Sequence, residues 1–106
     1  MIKLLVSPDA QADLDQIRAY IENESGEPEA GQKQIARITQ RLWMLQEQPQ
    51  MGAPLVAQVH LMTDYRYLVC GSYYAFYKVY GDEVSIVRIL HCSMDFVRVL
   101  FGISAN

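Results

Sequence analysis

A chain of 106 residues, 51% hydrophobic and 20% charged, has room for one hydrophobic core rather than two, and it is too apolar to stay disordered. Its net charge of −3 argues against a partner held through many phosphate contacts. Its longest apolar runs, such as 97–101, fall far short of the roughly 20 residues that a membrane span needs.

A single domain over residues 1–106 is therefore expected, with no membrane association. Lys3 leads into a short apolar stretch that stops at Ser7-Pro8-Asp9, too short for a secretory signal, so the expectation is a cytoplasmic protein. In that compartment Cys70 and Cys92 are expected to be reduced thiols.

In chain order, "MIKLLV" is apolar, partly β-branched and bounded by Ser7-Pro8, which predicts a first strand. Ser7 suits a helix N-cap, Pro8 the first helical position and Asp9 the positive end of the helix dipole. Ala10, Leu14, Ile17 and Ile21, with Tyr20 beside them, form one apolar stripe, and Asp13, Asp15, Glu22 and Glu24 are expected on a solvated face. Gly26 and Pro28 mark a turn. Ile35, Ile38, Leu42 and Leu45 then predict a second amphipathic helix that ends before Pro49, with Trp43 and Met44 expected in the core. The two helices form an antiparallel hairpin.

Residues 48–62 hold two prolines and a glycine and read as a loop with a short extended piece. Strand periodicity follows. Residues 65–70 and 73–80 flank Gly71-Ser72, a two-residue hairpin turn whose first central position asks for glycine. Residues 83–90 make the next strand after Gly81-Asp82, and "SMDFVRVLFG" predicts a short terminal helix capped by Ser93. The predicted class is α+β: an N-terminal strand, a two-helix antiparallel hairpin packed on a mostly antiparallel four-stranded sheet, and a short C-terminal helix.

Counting outward from the turn places Arg66 opposite Tyr77, Tyr67 opposite Phe76 and Cys70 opposite Tyr73. An arginine among tyrosines points to a guanidinium held over aromatic rings, ready for a phosphate or carboxylate, or else to a plain cation–π pair on a solvated face. His91 closes the last strand, and Asp95 four positions on would serve as its orienting carboxylate if it were a general base. The alternative gives His91 a backbone carbonyl and Asp95 a place in the first turn of the last helix. His60, His91, Cys70 and Cys92 lack paired zinc-type spacing, so neither metal nor cofactor is expected. Residues 1–62 carry eight acidic and five basic side chains against four of each in 63–106, which favours the carboxyl-terminal part for meeting an anion.

The segment "YRYLVCGSYYAFYKVYGDEVSIVRILHCSMDF", with "SPDAQADLDQIRAYI" and the "QPQMGAP" loop, resembles the RelE/ParE superfamily of bacterial toxins over nearly the whole chain. The resemblance implies the toxin of a two-gene type II toxin-antitoxin module, neutralised by a cognate antitoxin, acting as a homodimer or within a toxin-antitoxin hetero-oligomer. RelE-like members cut messenger RNA on the ribosome, and ParE-like members block DNA gyrase. By resemblance, Arg66 and His91 are the candidate catalytic pair if this chain is an endoribonuclease, and Tyr73, Tyr74, Tyr77, Arg88 and Asp95 the candidate binding residues. RNA-cutting members commonly place arginines after the Gly-x-Tyr motif and after the closing histidine. Here Tyr74 and the run Cys92-Ser93-Met94-Asp95 stand there instead. Those departures favour the ParE-like mechanism, because phosphate cleavage needs cations where charge gathers. A degenerate member that only binds a partner is the third reading.

Overall fold

The computed structural model describes residues 1–59 and 61–102. The chain runs β1 (Lys3–Val6), α1 (Pro8–Ser25), α2 (Pro28–Met44), β2 (Ala53–Pro54), α3 (Val56–Val59), β3 (Arg66–Cys70), β4 (Tyr73–Tyr80), β5 (Glu83–His91) and α4 (Phe96–Phe101). The α+β class is as expected. The sheet has five strands in the order β1-β5-β4-β3-β2, one more than predicted, because Ala53 and Pro54 pair with Tyr67 and Arg66 at the edge. A strand of two residues carries too little pattern to be read from sequence, and its proline is tolerated because it lies on an edge. The sheet is mixed, since β1 pairs with β5 in parallel and the other pairs are antiparallel.

Local chemistry sets the ends of the elements. The Ser7 hydroxyl accepts from the Ala10 N–H at 3.0 Å and donates to the Val87 carbonyl at 2.7 Å, so one residue caps α1 and ties it to β5. The β3–β4 hairpin turns at Gly71 with φ +64°, and its register is the predicted one: Arg66 opposite Tyr77, Tyr67 opposite Phe76, Cys70 opposite Tyr73. The last helix starts later than predicted. Asp95 caps it, accepting from the Arg98 N–H at 3.3 Å, and Ser93 is engaged elsewhere.

One side of the sheet is covered by the helix hairpin. Leu68, Cys70, Ala75, Tyr77, Val84, Ile86 and Ile89 meet Ala10, Leu14, Ile38, Leu42 and Leu45 there. Burying each of the larger chains contributes about 1.5–3 kcal/mol. On the other side, Phe76 and Leu90 pack with Tyr65, Tyr67 and Tyr74 under Leu55, Val59, Phe96, Val99, Leu100 and Phe101. That face is closed by the chain's own α3 and α4.

An irregularity in β5 decides which side chains reach the helices. Pairing with β4 passes from Phe76–Arg88 to Tyr77–Ile86, so Val87 is an extra residue, a β-bulge. Before it the even positions Val84 and Ile86 face the hairpin, and after it the odd position Ile89 does. Arg88 follows the bulge directly, and its guanidinium reaches Asp13 of α1.

Two expectations about the helices are corrected. Asp13 is 6% exposed rather than solvated, because it lies on the α1 face that meets the bulge. Trp43 and Met44 are 62% and 47% exposed, because the sheet covers only the α2 face bearing Ile38 and Leu42. Among the described residues no helix is long and apolar enough to cross a membrane.

Candidate functional site

Arg66 was the leading catalytic candidate, and one of its nitrogens is taken up by backbone carbonyls while its Nε is buried without a hydrogen-bond partner. Its Nη2 donates to the carbonyls of Gln50, at 3.0 Å, and of Gly52. Beside it the buried Tyr77 hydroxyl accepts from the Gly52 N–H at 2.9 Å and donates to the Pro49 carbonyl at 2.9 Å. Together they hold the 49–52 segment against the sheet. The backbone passes so close that a β-carbon at Gly52 would fall 2.5 Å from the Tyr67 carbonyl oxygen and 2.6 Å from the Tyr77 hydroxyl. The expected stacking of Arg66 on tyrosine rings is corrected: the cation over a tyrosine is Lys78, 4.4 Å from the centre of the Tyr65 ring. Arg66 instead meets backbone carbonyls, because β2 folds back along β3 and brings Gln50 and Gly52 within its reach.

Arg88 is also occupied. Its Nε and Nη2 donate to the two oxygens of Asp13 at 2.7 and 2.8 Å, a bidentate pair, and the Ile89 N–H donates to the same carboxylate at 2.9 Å. The hydrogen bond that Arg88 donates to Asp13 is the leading reason that its pKa is raised. All three donors are local to the bulge, which explains why an acid is buried there.

This pair forms the floor of an open cleft of about 400 Å³ between α1 and the ends of β4 and β5, with Gln16 and Tyr20 on one wall and Tyr73, His91 and Met94 on the other. Burial, and next the neighbouring Tyr20, push the Tyr73 phenol pKa up, so it stays a donor at neutral pH. Its ring meets the His91 imidazole edge-on, 5.3 Å between centres.

His91 and Asp95 do not form the dyad that a general base would use, and Asp95 stands at the start of the last helix as the alternative reading had it. His91 Nδ1 accepts from the Ser93 N–H at 3.1 Å and lies 2.7 Å from Ser93 Oγ, whereas Asp95 caps α4. With Nδ1 accepting, the neutral ring carries its proton on Nε2. The imidazole is then a donor at Nε2 and has no free lone pair. Four residues of β4 separate the partners of Arg66 and His91, which places the two roughly 13 Å apart along the strands.

Of the residues singled out by sequence, the cleft gathers Tyr73, Arg88 and His91. Tyr77 is core. Tyr74 belongs to the opposite face, where its ring lies 5.5 Å from that of Tyr67 and 6.2 Å from that of Phe96. A recess of about 170 Å³ opens beside them. Sequence reasoning missed Asp13, Gln16, Tyr20 and Ser93. Ser93 alone carried a signal, since a serine two residues after a histidine at a strand end can turn back on the ring. Cys70 and Cys92 are free thiols, and His60 lies outside the described residues. Among the described residues no cluster of His, Cys, Asp and Glu could hold a metal ion.

The described geometry has close counterparts. A family model for the ParE toxin of the parDE type II toxin-antitoxin system matches residues 4–96. The chain is similar to a solved structure of the chromosomal ParDE toxin-antitoxin system from P. aeruginosa, at 28% identity and a TM-score of 0.73, over 86% of this chain and 96% of that one. A comparison with curated protein sequences finds no match.

Proposed function

The chain belongs to the ParE toxin family of type II toxin-antitoxin systems, with a cognate antitoxin as partner, and from that premise we propose that it arrests growth by binding and inhibiting DNA gyrase, not by cutting RNA. One observation carries the choice: among the described residues, Arg88 is the sole cation lining the cleft that holds His91, and its guanidinium is committed to Asp13. Phosphodiester cleavage gathers negative charge on a phosphate, and losing one preorganised donor costs on the order of 10²–10³ in rate. A cleft with its cation already neutralised lacks that stabilisation. His91 adds to the argument, since an imidazole with Nδ1 bonded to Ser93 N–H and a proton on Nε2 has no free base. As a binding surface the same cleft works well, offering phenol rings, an amide and an Nε2–H over a neutralised floor.

The test is induction of the toxin without its antitoxin, as wild type and as His91→Ala. Relaxed plasmid DNA with intact messenger RNA from both is the expected result. Cleaved messenger RNA that disappears in His91→Ala would overturn the proposal.

A further inference from the structure

The outer face of α2 presents a second surface that the cleft does not use. Lys33, Arg37 and Arg41 recur every four residues and so stand one above another along the helix. Among the described residues none of the three has a carboxylate within salt-bridge distance, in a chain of net charge −3. The nearest acid on the same stripe is Glu29, one turn before Lys33 in the first turn of the helix. Arg41 bends over the end of β3, where Nε and Nη2 donate to the Val69 carbonyl at 3.3 and 3.1 Å. That contact closes one end of a groove of about 390 Å³ between α2 and the β3–β4 turn, lined by Gln34, Arg37, Gln40, Arg41 and Met44 with Cys70 and Gly71 behind them. Met44 is 47% exposed there.

We propose that this groove docks an acidic segment of the cognate antitoxin, with carboxylates along Lys33 and Arg37 and an apolar side chain against Met44. Charge decides the occupant. Cations left without partners on an acidic protein set up a local positive field that an acidic chain can follow, and the two glutamine amides can hydrogen-bond an ordered backbone. A nucleic-acid duplex would meet the same stripe, but the remaining surface repels it, and the apolar floor beside Met44 has no use for a phosphate backbone. The inference rests on membership of the toxin family and is independent of the choice of gyrase.

The test uses the antitoxin with which the toxin co-purifies. Its affinity for wild-type toxin, Lys33→Glu/Arg37→Glu, Lys33→Gln/Arg37→Gln and a Lys3→Glu control is measured at low and high salt. Both substituted positions are exposed, and circular dichroism checks that the variants fold. Charge reversal should weaken binding about 100-fold and neutralisation about tenfold, with a shallower salt dependence in each, while Lys3→Glu stays near wild type. Unchanged affinity, an equal loss in Lys3→Glu, or an effect confined to duplex DNA binding would each overturn the inference. Inhibition of gyrase by the free variants is read separately, so a failure of the groove and a failure of the gyrase reading are told apart.

Discussion

Replacing Asp13 by alanine removes the acceptor of three hydrogen bonds at once, two from Arg88 and one from Ile89. The Ile89 N–H is buried and gains no other partner, which costs about 1–3 kcal/mol. Stranding the cation would add about 3–5 kcal/mol if it were fully buried, but the Arg88 side chain is 27% exposed and can rehydrate through the cleft, which brings that part down to about 1–2 kcal/mol. The sum is about 3 kcal/mol, a large share of the roughly 5–15 kcal/mol that holds a domain together. Urea unfolding followed by circular dichroism should show this loss with an unchanged m-value, and a melting temperature lower by about 12 °C. In a double-mutant cycle, adding Arg88→Met should cost little beyond Asp13→Ala, because the cation is no longer stranded. A loss below about 0.5 kcal/mol would refute the reasoning, since that is the range of a surface substitution with no partner. So would unchanged stability with lost toxicity, which would make the pair a working group and not a structural one.

Tyr77→Phe leaves the Gly52 N–H and the Pro49 carbonyl without their partner, and should cost about 2 kcal/mol while speeding hydrogen exchange at the Gly52 amide. Gly52→Ala should be worse, because the added methyl meets the Tyr67 carbonyl and the Tyr77 ring, and native gel or circular dichroism should show a largely unfolded chain. Cys70, whose pKa burial pushes from 9.0 to about 11, keeps its proton in the folded state, so stability should be level below pH 9.0 and fall as pH rises toward 11, by about 1.4 kcal/mol per unit at most. Cys70→Ala should lack that slope in urea titrations at each pH. At pH 8, by the same burial, a thiol reagent should label the exposed Cys92 and spare Cys70 until the chain unfolds.

What the sequence made legible was whatever local rules decide. Ser7-Pro8 announced the start of α1, and Gly71 fixed the hairpin so firmly that pairing could be counted out to Arg66 and Tyr77. The partners of those residues depended on distant returns of the chain. Arg66 finds carbonyls in a segment 14 to 16 residues earlier, and nothing in the strand pattern reveals that β2 comes back there. Asp13 and Arg88 are 75 positions apart, and nothing in the local pattern of either reveals that they meet. The face bearing Tyr65, Tyr67, Tyr74 and Phe76 is filled by α3 and α4, since four aromatic rings on one side of a sheet attract cover from whatever apolar helix can reach them. Trp43 misled for the opposite reason: it stands beside Leu42 in the chain but about 100° around the helix from it, on the side that meets no sheet.

The claim that this toxin binds and does not cut is tested most directly with purified protein freed from its antitoxin, offered in parallel reactions to DNA gyrase with relaxed plasmid and to ribosomes translating a defined messenger RNA. The account predicts blocked supercoiling and full-length RNA, with His91→Ala still blocking supercoiling and still leaving the RNA intact. Uninhibited supercoiling together with RNA fragments that require His91 would contradict it.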